Sequence, residues 1–221
     1  LVAIVMTDTP IIEKAIEEIE IKTFGVTEQF LKIHEIVYDD NKIKVARVDK
    51  ESGDGTAIVY LPVKDEKFYL AIYIDTEPEI SVRHVNIEAY HSVYFKAISE
   101  VHSFDKLSGM TKLKATGGHN KGDKRGQNVL WKWSSIFFEP NPEADEFEDK
   151  LTKLLNYLEQ DREGVEKLVN NANGHIQVYS SFHNGNTLIG GHHIDKDHIR
   201  RMSKLNLEID FDINAGGHLF T

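Results

Sequence analysis

Gly118-His119-Asn120-Lys121-Gly122-Asp123-Lys124-Arg125-Gly126-Gln127-Asn128-Val129-Leu130-Trp131-Lys132-Trp133 runs a basic, glycine-punctuated loop straight into the most aromatic stretch of the chain. Both tryptophans lie here, with Phe137 and Phe138 just beyond, and aromatic side chains favour the half-buried pleated surface of a sheet. Residues 129–139 are therefore expected to form a strand in the middle of a sheet, ended by Pro140 and Pro142. The loop invites a functional reading and the strand an architectural one.

Toward the C-terminus, Glu143, Asp145, Glu146, Glu148 and Asp149 crowd a helix start, where negative charge meets the positive end of the helix dipole. Phe147, Leu151, Leu154, Leu155 and Leu158 supply a buried stripe, and Val165, Leu168, Val169 and Ala172 continue it past Gly164 to Asn173-Gly174. Two helices or one kinked helix are expected there. Ile176, Val178 and Ser180 alternate with Gln177, Tyr179 and Ser181 as a strand, followed by a turn at residues 183–186 and a short strand at 187–189. Asp195 is the expected N-cap of a helix through Lys204, with Ile194, His198, Met202 and Leu205 inward. A last strand at 207–213 is expected to turn Leu207, Ile209, Phe211 and Ile213 inward and Glu208, Asp210 and Asp212 outward.

Toward the N-terminus, Ser103 is placed to cap a short helix, and residues 91–99 read as a strand with Val93, Phe95 and Ala97 alternating with Tyr94, Lys96 and Ile98. Before it, residues 42–49, 56–63, 67–75 and a segment with Val85, Ile87 and Ala89 on one side have the period of a three- or four-stranded antiparallel meander, with Ser52-Gly53-Asp54-Gly55 as a hairpin turn. Ile12, Ile16 and Ile19 mark an amphipathic helix over 10–21 that can cover the meander, while residues 26–38 suit a helix or a strand. The expected fold is α+β: an N-terminal antiparallel meander with a helix (1–88), then an antiparallel sheet with helices on one face (89–221).

The 221 residues carry a net charge of −10 and are 40% hydrophobic, ordinary for a globular protein. Carboxylates exceed basic residues, which argues against a nucleic-acid binder and is compatible with a basic protein partner. The absence of cysteine removes disulfides, thiolate zinc sites and a cysteine nucleophile, and fits a reducing compartment. The opening Leu1-Val2-Ala3-Ile4-Val5-Met6 is too short for a signal-peptide core and no run reaches membrane-spanning length, so a cytoplasmic location is expected, with Met6 a candidate native start.

The strand at 92–99, Lys121-Gly122-Asp123, Arg125, Trp133 and the later helix-strand-helix-strand order together resemble a bacterial family known as domain of unknown function 4279. In that family a strand precedes a short helix, a lysine-glycine-aspartate loop follows, and a tryptophan-bearing strand leads into a long leucine-rich helix. The resemblance covers the last ~130 residues by the order of these elements, with 207–213 as the closing strand. It implies no catalytic activity.

The loop gives the first candidate site. Gly117 and Gly122 have the gap of a phosphate-binding loop, but Asp123 stands where lysine is needed and no hydroxyl residue follows, so a nucleotide loop is rejected. Lys121, Lys124 and Arg125, with Asp123 and Trp133, remain candidates for an anionic ligand, against a structural role for Asp123 in the turn. The second is the stretch from Gly190 to His198: His192, His193, Asp195 and His198, with His183, are residue types that hold zinc or a similar divalent metal, though no His-Glu-x-x-His pattern is present. Serines lack a Gly-x-Ser-x-Gly elbow, and Tyr69, Tyr73, Tyr94 and Lys96 offer a partner surface or an internal contact. The leading expectation is a non-enzymatic cytosolic protein of the immunity or accessory type, without cofactor, that holds a basic protein partner. The alternatives are a metal-dependent hydrolase built on the histidines and a small-molecule sensor built on the loop.

Overall fold

The computed structural model describes residues 8–51, 53–127, 129–185 and 191–220. The opening apolar run, Ser52 of the hairpin turn, Asn128, and the expected strand at 187–189 with Gly190 lie outside the described residues. Helix α1 (Thr9–Ile21) has Pro10 in its first turn, where a missing N–H costs no intrahelical bond. Ile11, Ala15 and Ile19 are its buried apolar residues, so the inner face is rotated from the expected Ile12 and Ile16. Glu18 is buried on the same face. Its carboxylate, 2% exposed, accepts from Phe24 N (3.1 Å), Thr23 N (3.2 Å) and the Thr23 and Thr27 hydroxyls, and so collects the amino end of α2 (Gly25–Leu31). The ambiguous 26–38 segment is thus helical as far as Leu31 and extended near its end, where Ile36 bridges Val63.

Tyr38–Asp39 (β1) and Lys42–Ile43 (β2) fold on each other around Asp40 and Asn41, both at positive φ. Pairing with β1 takes Lys42–Ile43 away from the strand expected over 42–49, of which Arg47–Asp49 (β3) joins the main sheet. β4 (Thr56–Pro62) and β5 (Phe68–Asp75) continue antiparallel. β6 (Ser81–Ser99) then runs for 19 residues, pairing with β5 over its first half. The segments read as two strands are one, because Tyr90 extends the alternation and no turn residue interrupts it. The expected division at 88/89 falls inside this strand.

Ser103 caps α3 (Phe104–Ser108) by accepting from Lys106 N at 3.3 Å. β7 (Gly117–His119), β8 (Lys124–Gly126) and β9 (Val129–Leu130) follow, and β10 (Ser134–Phe138) lies between β6 and β7. The strand expected over 129–139 is therefore split. Trp131 exchanges backbone bonds with the loop, Trp131 N to Asp123 O at 2.9 Å and Gly122 N to Trp131 O at 2.8 Å, which holds it out of the large sheet.

α4 (Phe147–Leu158) passes through one 3-10 turn into α5 (Arg162–Ala172), whose first turn is capped by Asp161 on Gly164 N at 3.2 Å. β11 (His175–His183) pairs antiparallel with β6; α6 (Lys196–Lys204), N-capped by Asp195 on His198 N at 2.7 Å, crosses over to β12 (Ile209–Gly216). A helical crossover returns the chain in the same direction, so β12 is parallel to β11, a departure from the all-antiparallel expectation. It is also the sheet edge, which leaves Phe211 and Ile213 38% and 56% exposed where burial was expected.

The main sheet has the order β12-β11-β6-β5-β4-β3, with β10 and β7 joined to the far half of β6, and the molecule is α+β as expected. α1 and α2 pack Ile11, Ala15, Ile19 and Phe30 on the meander with Leu61, Leu70, Ile72 and Val85. α4 and α5 pack Leu151, Leu154, Val165 and Leu168 on Val93, Phe95, Ala97 and Ile136. Among the described residues no helix is long and apolar enough to cross a membrane.

Candidate functional site

The loop is built by its own backbone. Asp123 accepts from Asn120 N at 2.7 Å through its carboxylate, Asn120 accepts from Phe104 N at 2.8 Å, and Gly122 takes φ +90°, a conformation that penalises a Cβ. Lys121 donates its backbone N–H to Ser134 Oγ at 3.0 Å, and its ammonium lies 3.4 Å from Glu100 O. Of the five residues singled out in this stretch, Lys121 and Asp123 thus shape the turn, and Lys124 is exposed on β8. Arg125 lies over the Trp131 ring at 4.7 Å, and that ring stacks on His119 with centroids 3.7 Å apart and planes at 15°. The fifth, Trp133, turns into a cleft.

This cleft, about 320 Å³, lies beside the stacked group. Tyr94 and Lys96 reach it because Val93, Phe95 and Ala97 alternate with them into the core, and Phe137 reaches it because Ile136 and Phe138 point inward. Tyr94 and Phe137 meet edge to face at 6.1 Å. Gly117 makes room for Phe137, since a Cβ there would sit 2.4 Å from its ring. Trp131, Trp133, His119, Ser135 and Glu139 complete the wall.

The polar groups of the cleft are mostly engaged with each other. Ser135 Oγ is 3.0 Å from His119 Nδ1, and Ser92 Oγ donates to Glu139 at 2.6 Å. Burial, with Lys96 and Arg125 nearby, holds the His119 pKa below its ordinary value, so the ring is neutral at pH 7. Burial, helped by Glu139, pushes the Tyr94 phenol up. Ser135 is 1% exposed and bonded inside the wall, so it is not presented as a nucleophile. What remains open is a set of flat apolar faces with Lys96 and Glu139 beside them, a surface suited to binding.

Of the five residues considered as metal ligands, only Asp195 and His198 meet among the described residues, Asp195 Oδ1 lying 3.2 Å from His198 Nδ1. His183 Nδ1 accepts from Gly185 N at 3.1 Å, so its Nε2 carries the proton, facing His218 O at 2.9 Å and His34 Nε2 at 3.0 Å. His192 Nε2 is 2.8 Å from Ser180 Oγ, which in turn is 2.7 Å from His91 Nδ1. His193 is held by its backbone N–H on Glu148 Oε1 at 2.8 Å, Asp195 caps α6, and His198 Nε2 meets Thr152 Oγ1 at 2.8 Å. Among the described residues no three His, Asp or Glu side chains converge as metal ligands would.

Of the tyrosines read as a possible partner surface, Tyr94 lines the cleft, whereas Tyr73 stacks on His84 at 4.0 Å and donates to Glu88 at 2.7 Å. Tyr69 packs against Tyr60 at 5.7 Å. Phe137, Glu139 and His119 were not singled out. The alternation of Ile136 and Phe138 with Phe137 was the available signal, obscured by reading 129–139 as one strand.

A family model described as Domain of unknown function (DUF4279) matches residues 88–216. No curated protein and no solved structure matches the chain. The matched segment opens inside β6, closes on the last residue of β12 and contains every residue of the aromatic cleft. With residues 88–216 of 221 matched, the chain belongs to the family of Domain of unknown function (DUF4279).

Proposed function

We propose that the protein is a non-enzymatic, protein-binding protein of the accessory or immunity type, acting in the cytoplasm, and that its aromatic cleft seats an apolar or aromatic side chain of the partner. The observation that carries this reading is the open group of Tyr94, Trp133 and Phe137 beside Lys96 and Glu139. Aromatic rings give large contact area at low entropic cost and dominate interface energetics when a partner side chain fills the space between them. The net charge of −10 favours the approach of a basic partner at a distance, and the cleft supplies the short-range contact.

The test is capture of partners from an extract of the source cell on the immobilised chain, compared with Trp133→Ala and Tyr94→Ala. A partner retained by the unaltered chain is expected to be lost at least about tenfold by either substitution, with thermal midpoints little changed. Equal retention by both variants would overturn the reading.

A further inference from the structure

A second cleft, about 290 Å³, opens where residues 86–91 of β6 pass the amino end of α4. Glu88, Asp145, Glu146 and Glu148 line it, and among the described residues no lysine or arginine does. Asp145 is not part of the unbalanced charge, because Arg47 and Lys153 meet it at 2.7 and 2.9 Å. Among the described residues, Glu88 receives only neutral donors, Tyr73 OH at 2.7 Å and Asn86 Nδ2 at 2.8 Å, and Glu148 receives only the His193 backbone N–H. The Glu146 carboxylate has no ion pair or hydrogen bond among the described residues. Burial and the charge of Glu88 push its pKa upward, as expected of a carboxylate that lacks a counter-ion.

An independent observation marks the same place. Tyr60 is 1% exposed, lines this cleft, and its hydroxyl has no hydrogen-bond partner among the described residues. Buried hydroxyls are almost always satisfied, so an unpartnered one opening on a cleft of unpaired carboxylates points to a ligand that completes both.

We propose that this cleft binds a guanidinium group, carried by an arginine side chain or by a small guanidinium compound. The chemistry selects guanidinium among cations. Its five N–H donors in a planar fork suit two carboxylates and a phenol oxygen at once, and its weakly hydrated face stacks on rings such as those of Phe147 and Phe182, which also line the cleft. An ammonium is compact and strongly hydrated and gains little from the rings. A metal ion would need converging ligands, which the described residues do not provide. The site shares no residue with the aromatic cleft and stands whether or not that cleft holds a partner.

Isothermal titration of the full chain tests it with three probes: N-acetyl-arginine methylamide, the matching lysine compound, and a capped glycine-serine peptide carrying one arginine. Saturable binding of the arginine probes is expected, weakened at least about tenfold in Glu146→Gln and at least about threefold in Tyr60→Phe. The second variant removes only an unpartnered oxygen, so its thermal midpoint should hold or rise, which separates lost binding from lost folding. A peptide binding about tenfold tighter than the blocked amino acid assigns the site to arginine within a protein, and equal affinities assign it to a small guanidinium compound. The lysine compound binding as tightly as the arginine one, both variants binding like the unaltered chain, or no heat with any probe at millimolar concentration would each overturn the proposal.

Discussion

The two clefts border one strand and differ in what closes over it. Along β6, Asn86 and Glu88 face the acidic cleft, and Tyr94 and Lys96 face the aromatic one. At the acidic end, residues 140–146 fold back over the sheet: Ala144 packs with Ile58, Tyr60 and Ala71, and Arg47 reaches Ala144 O at 3.0 Å and Asp145 at 2.7 Å. Lys150, 1% exposed, spends its ammonium on Asn141 O and Glu143 O at 2.9 and 2.5 Å. At the aromatic end the corresponding cover is a short hairpin that holds Trp131 aside. The comparison teaches that a strand's outward residues acquire their chemistry from the loop laid against them. One loop brings carboxylates and buried tethers, and the other brings rings.

If that is right, the acidic end depends on its tether far more than the aromatic end depends on its rings. Asp145→Ala removes the fully buried carboxylate that Arg47, Lys153 and Asn141 share, while Arg47 keeps Asp49 and Glu51 at 3.2 and 3.3 Å. Losing the charge-assisted bonds from Arg47 and Lys153, each worth about 1.5–3 kcal/mol, costs about 3–5 kcal/mol in all, read as a lower urea midpoint at unchanged slope. A loss under about 1 kcal/mol would erase the distinction between the two ends.

How much of this was legible beforehand follows from the range of the interactions. The helical stripe at Leu151, Leu154, Leu155 and Leu158 and the Asp195 cap are set within one turn or one face, and both stand where the sequence placed them. The unbroken β6 was hidden because two different sets of neighbours pair with its halves, and pairing partners leave no local trace. The final strand failed for the same reason: Phe211 and Ile213 alternate as inward residues do, but β12 has a partner on one side only. Trp133 and the Tyr94–Lys96 pair were visible as candidates. Tyr60 was not, since it sits in an apolar run of β4 and its orphaned hydroxyl exists only once residues 140–148 are folded over it.

A smaller effect separates the buried histidines from the exposed loops. His34, 6% exposed, has its pKa held down to about 4, first by burial and then by His183 and His218. Since His183 Nε2 carries a proton, His34 Nε2 must meet it with a lone pair, and protonating His34 sets two N–H groups against each other. A folded-state pKa below the unfolded value of 6.5 means that the unfolded chain binds the proton first. Stability from this residue is therefore full above pH 6.5, falls as the pH drops toward 4, and changes no further below that. The loss amounts to about 3 kcal/mol across the window. His34→Gln, which keeps an acceptor and cannot protonate, should flatten that part of the stability curve; an unchanged slope would remove His34 as its source.

The finest distinction lies within the basic loop, where architecture and recognition compete for adjacent residues. Asp123 holds the turn through Asn120 N, so Asp123→Ala should cost about 1 kcal/mol and lower the thermal midpoint by a few degrees. The Arg125 guanidinium lies over the face of Trp131, a contact worth about 0.5 kcal/mol, so Arg125→Ala should leave the midpoint within about 2 °C while changing tryptophan emission. The order of the two matters more than either magnitude. If Arg125→Ala destabilises as much as Asp123→Ala, the stack of Arg125, Trp131 and His119 is a structural brace, and Arg125 has no share in the rim of the aromatic cleft. If it leaves stability intact and weakens capture of a partner, the rim belongs to the binding surface and the turn beneath it to the fold.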